Sequence, residues 1–287
     1  MSPQYFHVDV FSNTGYNGNS LPVFLDSRGL NAGQMLRISQ ELRHFEAIFL
    51  EATSEPDRWR ARIFDLSGEL PFAGHPIIGA AALLHHVSGA GDEQTWSFEL
   101  TKKAVRVTTG RIPSGYFGLM DQGRPEFDEP IAEPRGIAEA FSIERSDFDS
   151  NLPVQVVSTG LRYLIVPLAP GVIGRARIAS DITPMLERFN AQFAVLLDDS
   201  ELEIRHWTND GVAEDSATGS AAGTIGAYRL RHALIEANEQ FALNQGRFTG
   251  RPSVLRVQPI GSRAHIQSVK VGGDVSIVGR GVLDVLP

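Results

Sequence analysis

The chain has 287 residues, with 26 Lys+Arg against 34 Asp+Glu and a formal charge of −8. An acidic chain of this kind excludes a broad nucleic-acid interface, which needs a basic patch to displace counterions. Cysteine is absent, which excludes disulfides, thiolate metal sites and a thiol acting as nucleophile or base.

The length suffices for one large domain or two medium ones. No basic residue precedes an apolar run in Met1-Ser2-Pro3-Gln4-Tyr5, so no secretory signal is expected. The apolar run Ile77 to Leu84 is far short of a bilayer span. Both observations point to a cytoplasmic protein with neither a membrane nor a nucleic acid as partner.

In chain order, Tyr5 to Phe11 alternates as a strand does. A Gly/Asn-rich loop at Gly15 to Asn19 and a short apolar strand from Leu21 to Leu25 follow. Asn31 is a good N-cap for a helix reaching Leu42, with Leu36, Ile38 and Leu42 among its buried positions. Arg58, Arg60 and Arg62 alternate with Trp59, Ala61 and Ile63, giving a strand with one wet cationic face. Pro76 suits a first helical position, and the Ala/Leu-rich run behind it predicts a helix buried on nearly all sides. A hairpin over Trp96–Thr108 and a strand over Tyr116–Met120 come next. Residues 121–134 hold three prolines and five acidic residues without periodicity, as a domain linker would.

The second half repeats this order. Strands are expected near Val154–Val157, Tyr163–Pro167, Phe193–Leu197 and Leu202–Trp207, with a helix capped by Asp181 among them. A second small-residue helix opens at Glu214 to Gly223 and runs towards Leu230. Strands, a Gly-polar turn and an Ala/Gly-rich helix thus occur twice, as an old duplication would leave them.

The two turns carry the chemistry. In Ala73-Gly74-His75-Pro76 and Thr218-Gly219-Ser220-Ala221 a glycine lets the backbone approach a ligand. The free N–H groups of the helix start behind it suit an anion. Either turn alone reads as a good cap, with His75 or Ser220 capping; two matching turns, one per half, point to a carboxylate-binding site. His75 and Asp215 add groups able to move or orient protons. The other seven histidines show no motif, and no metal-ligand spacing is present.

The strings ELPFAGHP (Glu69–Pro76), EDSATGSAAG (Glu214–Gly223), QGRFTGRPS (Gln245–Ser253) and VGGDVSIVGRG (Val271–Gly281), with Asp9-Val10-Phe11 and the Gly18-Asn19 turn, resemble those of the phenazine-biosynthesis PhzF-like isomerases, in the same order over nearly the whole chain. The resemblance implies an α+β fold like that of diaminopimelate epimerase. That fold has two similar domains, each a curved, mostly antiparallel sheet wrapped around a central helix, with the active site in the cleft between them. The expected division is residues 1–120 and 121–287, the last strand crossing over to the first domain. The resemblance also implies a homodimer without metal or organic cofactor.

Amino-acid racemases of this fold use a cysteine pair, which this chain lacks. PhzF-like enzymes use one glutamate, and the matching position is Glu46, at the head of the apolar strand Ala47 to Leu50. Apolar surroundings would raise its pKa towards a range where it can take and return a proton. On this reading Glu46 moves a proton between two carbons of a small cyclic or unsaturated, carboxylate-bearing substrate such as dihydro-hydroxyanthranilate. His75 and Asp215 assist; Gly74, Gly219, Ser220 and Asn19 bind the substrate. Phe45 and Ala47 flank Glu46 where the family commonly has hydroxyl residues. Asp65-Leu66, Trp207-Thr208 and Ser20 also depart from the family pattern at cleft-bordering positions, so the substrate is expected to differ. The alternative is a silent small-carboxylate binding or regulatory protein of the same fold; a Ser220 hydrolase fails because its surroundings are no nucleophile elbow.

Overall fold

The computed structural model describes residues 3–101 and 104–287. Their contacts divide them into two units: residues up to Asp121 together with Gly272–Pro287, and Gln122–Val271. Residues 272–287, grouped with the second half by the sequence division apart from the crossing last strand, lie with the first.

The first unit contains β1 (Gln4–Val10), β2 (Asn19–Phe24), α1 (Ala32–Leu42), β3 (Ala47–Ala52), β4 (Arg58–Phe64), β5 (Glu69–Leu70), α2 (Gly74–Ser88), β6 (Glu93–Glu99), β7 (Ala104–Ile112) and β8 (Gly115–Asp121). The second contains β9 (Glu126–Phe127), α3 (Ile137–Ala140), β10 (Gln155–Ser158), β11 (Arg162–Pro167), α4 (Thr183–Arg188), β12 (Phe193–Asp198), β13 (Glu203–Arg205), α5 (Gly219–Arg231), β14 (Phe241–Gln245) and β15 (Ser253–Ser262). The long strand β16 (His265–Val282) begins in the second unit and ends in the first.

In the first unit the strand order is β1-β2-β3-β4-β6-β7-β8-β16, and β16 pairs again with β1, closing a ring. Helix α2 packs against β1, β2, β3, β6, β7 and β8, and every residue from Gly74 to His85 is buried. Strands on all sides explain its composition, since a helix surrounded by apolar neighbours has no polar face to keep wet. Helix α1 starts with a capping box: Asn31 Oδ1 accepts from the Gln34 N–H, and Gln34 Oε1 from the Asn31 N–H. Its fully buried apolar residues are Met35 and Ile38; Leu36 and Leu42, expected inside, are only half-buried.

The second unit runs β9-β10-β11-β12-β13-β14-β15-β16, with α5 against β10, β11 and β15. The duplication is explicit in the pairing. Going from β1 to β7, the pairs β1–β2, β2–β3, β3–β4, β4–β6 and β6–β7 alternate antiparallel and parallel. The series β10–β11, β11–β12, β12–β13, β13–β14 and β14–β15 alternates identically. Helices α1 and α4 occupy the same crossover in their halves, as do α2 and α5. The expected architecture, two similar domains each with a sheet around a central helix, is the one observed.

Three boundaries differ from expectation. The stretch 121–134 is not a free linker: Asp128 and Ile131 donate backbone hydrogens to Val156 and Val154, and β9 pairs with β10. Prolines and acids tolerate such an edge pairing because only alternate backbone groups face the neighbour. The second central helix begins at Gly219 rather than at Glu214, since Asp215 to Thr218 form a bonded turn ahead of it. The first central helix likewise begins at Gly74, two residues before Pro76.

Gly79 shows how closely sheet and helix approach. A Cβ there would lie 2.7 Å from Leu21 Cδ2 and 2.8 Å from Val10 Cγ2, closer than packed side chains tolerate. Gly79→Ala is therefore expected to cost about 1–3 kcal/mol of stability by overpacking. Gly91→Ala, where a Cβ meets nothing within 4 Å, is expected to stay within about 0.5 kcal/mol of the parent. Urea denaturation of both variants checks the pair.

Candidate active site

In the first unit the chain leaves α1 through Arg43, whose left-handed backbone (φ 54°) turns it sharply. This turn delivers Glu46 to the start of β3. His75 is the second residue of α2, whose N-cap Ala73 supplies no side-chain cap, so the alternative of a merely capping histidine does not hold. His75 Nε2 lies 3.3 Å from Glu46 Oε2, with the two side chains only 5% and 14% exposed. The distance allows proton sharing after the small tightening that a bound substrate commonly brings.

Burial pulls the His75 pKa down to about 3, and the charge of His44 adds to the effect. His75 is therefore neutral near pH 7, one ring nitrogen a donor and the other an acceptor. His44 Nδ1 is 2.8 Å from Ser20 Oγ, and its ring meets that of His7 edge-on at 4.8 Å. The residue standing at the family's proline position thus fixes a second imidazole behind the site. Asn19 is buried at the start of β2, opposite Val10. Gly74 is the first residue of α2 and buried.

In the second unit Asp215 sits in the turn before α5. Its Oδ2 accepts from Thr218 Oγ1 at 2.6 Å, and its Oδ1 from the Ala217 N–H at 3.3 Å. The N-cap Thr218 therefore spends its hydroxyl on Asp215 and leaves the helix without a side-chain cap. Gly219, first in the helix, is held from behind by Gln122 Nε2, which donates to its carbonyl at 2.8 Å. Ser220 does not cap either; its Oγ is 2.8 Å from Tyr163 Oη. The Tyr163 ring packs on His206 with centroids 5.5 Å apart. His206 is buried, its Nδ1 2.8 Å from the Ala194 carbonyl oxygen, and burial pulls its pKa down to about 4. Arg205 makes a two-pronged pair with Glu214, each contact 2.8 Å, and lies between the rings of Trp207 and Phe248. That pair anchors the residue next to Asp215.

Sequence reasoning singled out Glu46, His75, Asp215 and Ser220 but passed over Tyr163, His206, Thr218 and Gln245. Thr218 and Gln245 had left a signal, inside the strings Glu214 to Gly223 and Gln245 to Ser253; Tyr163 and His206 had none. Two departures from the family pattern have structural explanations. Trp207 belongs to the second unit's core, and Asp65 Oδ1 closes an exposed turn by accepting from Ser67 and Gly68. Among the described residues, no group of three or more His, Asp or Glu is placed to hold a metal ion. No described helix is long and apolar enough to cross a membrane.

The first unit thus holds a nearly dry carboxylate against an uncharged imidazole, and the second a carboxylate and a hydroxyl fixed at an uncapped helix start. The model of the family described as phenazine biosynthesis-like protein matches residues 8–281, and the chain belongs to that family. It is 31% identical over 277 residues to an uncharacterized isomerase of Escherichia coli O157:H7, with 90% of each chain covered. It is 28% identical to a trans-2,3-dihydro-3-hydroxyanthranilate isomerase of Pseudomonas chlororaphis, covering 97% of this chain and 98% of that one. A solved Pseudomonas aeruginosa structure, described as a predicted epimerase, superposes with a TM-score of 0.92 at 44% identity, covering 99% and 100%. Its relatives place the protein among the isomerases.

His75 and His206 are neutral in the folded protein but titrate near 6.5 when unfolded. Below pH 6.5 the unfolded chain therefore binds more protons, and stability drops as pH falls from about 6.5 towards 4. Each buried imidazole accounts for a loss of about 2 kcal/mol between pH 7 and pH 5. His206→Gln, which keeps a donor for Ala194, should reduce the loss seen by urea denaturation at those two pH values by about that amount. An unchanged loss would contradict the assignment.

Proposed function

We propose that the protein is a cofactor-independent isomerase that moves a proton within a small cyclic or unsaturated amino or carboxylic acid, with Glu46 as the proton carrier. The observation that carries this reading is the 3.3 Å contact between Glu46 and the buried His75. A carboxylate with little hydration and a neutral imidazole beside it can take a proton from an activated C–H and return it to another carbon on the same face. One carboxylate suffices for both steps because the proton stays on it between them.

The duplication supports a single carrier. In the second unit the residue directly before β12 corresponds to Glu46 directly before β3, and it is Gln192, whose amide is neither an acid nor a base near neutral pH. Its Oε1 instead accepts from the Arg162 N–H. Asp215 and Ser220 offer an acceptor and a hydroxyl for the substrate's amino or hydroxyl groups and its carboxylate, and the start of α5 adds backbone N–H groups. The Pseudomonas chlororaphis relative, named for trans-2,3-dihydro-3-hydroxyanthranilate, supplies the first substrate to try.

Incubation with that compound in heavy water tests the reading. The parent protein should yield isomerised product carrying deuterium, and Glu46→Gln should lower turnover by about 10²–10⁴-fold while still binding the compound. Turnover by Glu46→Gln at the parent rate would refute the role given to Glu46.

A further inference from the structure

Gln245 ends β14 and is 2% exposed. Its side-chain amide makes three hydrogen bonds to the Asp215 turn. Oε1 accepts from the Thr218 N–H at 2.8 Å. Nε2 donates to the Asp215 carbonyl oxygen and to Thr218 Oγ1, both at 2.9 Å. The Thr218 N–H can only donate and the Asp215 carbonyl can only accept, so chemistry alone fixes which end of the amide is oxygen.

The direction of the chain of bonds follows. Thr218 Oγ1 receives a hydrogen from Gln245, which turns its own hydrogen to Asp215 Oδ2, 2.6 Å away. Gln245 therefore sets the donor that grips the Asp215 carboxylate, 30 residues distant in sequence. The segment after Gln245 braces the same turn. Gly246 adopts φ +85°, and a Cβ there would lie 2.3 Å from the Arg251 carbonyl oxygen and 2.5 Å from that of Ser216. Ser216 Oγ and Thr249 Oγ1 are 3.0 Å apart. Two independent sets of contacts thus tie the string Gln245 to Ser253 to the turn that carries Asp215.

We propose that Gln245 is a positioning residue, acting through the Thr218 hydroxyl to hold the Asp215 carboxylate in one orientation, the one in which it meets an N–H or O–H donor of the substrate. The inference rests on the reading of Asp215 as a substrate contact. A buried amide is suited to the task because it offers acceptor and donor in a rigid plane and carries no charge of its own to compete with the carboxylate.

The test has a structural arm and a kinetic arm. In crystals of substrate-free Gln245→Leu, the Asp215 carboxylate should leave its contact with Thr218 or occupy a second orientation, while the Tyr163–Ser220 contact stays in place. An undisturbed 2.6 Å contact overturns the proposal whatever the substrate is. Should Gln245→Leu fail to fold, Gln245→Met, which keeps the length of the side chain but lacks the amide, takes its place; Thr218→Ser, which keeps the hydroxyl, is the control.

With trans-2,3-dihydro-3-hydroxyanthranilate, Gln245→Leu and Thr218→Val should lower kcat by about 10- to 100-fold, as a misdirected group does. KM should change little, and Thr218→Ser should match the parent. Added to Asp215→Asn, Gln245→Leu should cost nothing further, because both act through one carboxylate. Independent, multiplying losses overturn the positioning role. Full turnover by Asp215→Asn instead removes the functional reading of Asp215, and the crystal structures then decide the positioning claim by themselves.

Discussion

The account depends on one contact: a carboxylate set against an imidazole that the fold has stripped of water. His75 pays for its burial by losing the ability to hold a proton near neutral pH. What remains is an uncharged ring at the start of α2, and in the function proposed above Glu46, 3.3 Å away, carries the proton. Had His75 been exposed, it would compete for that proton, and the pair would act as a surface ion pair of little consequence. Dryness at this point is a property of the whole first unit, because α2 is enclosed by strands along its length.

The duplicated architecture makes the chemistry's asymmetry easy to see. Both halves bring a small-residue helix to the same place in the strand order, and both begin it with glycine and without a side-chain cap. Beyond that the halves diverge. Where the first has Glu46 the second has Gln192, and where the first has His75 the second has Ser220, tethered to Tyr163. The two halves thus place different side chains at equivalent points of a shared scaffold.

Much of this was legible in the residues. The two central helices stood out because they are apolar on every side, and Asn31 marked the start of α1. The strings around Gly74 and Gly219 carried the family and, with it, Glu46, which local pattern alone would have left as an ordinary acid before a strand. Other features depend on contacts that no local pattern records. The ring of the first unit closes by pairing β1 with β16, nearly the full chain apart. The stretch 121–134 looks like a linker because its pairing is a two-residue strand on a distant neighbour. The bond from the Thr218 hydroxyl to Asp215 and the reach of the Gln245 amide to the same turn are likewise contacts that no local pattern encodes.

The charge state of His75 is the most direct measure of the central claim. In protein labelled with ¹⁵N in its histidine rings, the His75 resonances should keep the pattern of a neutral imidazole from pH 8 down to pH 5, while exposed histidines titrate normally. A His75 ring that gains its proton near pH 6.5 would show a hydrated, ordinary imidazole, and with it the setting claimed for Glu46 would be lost.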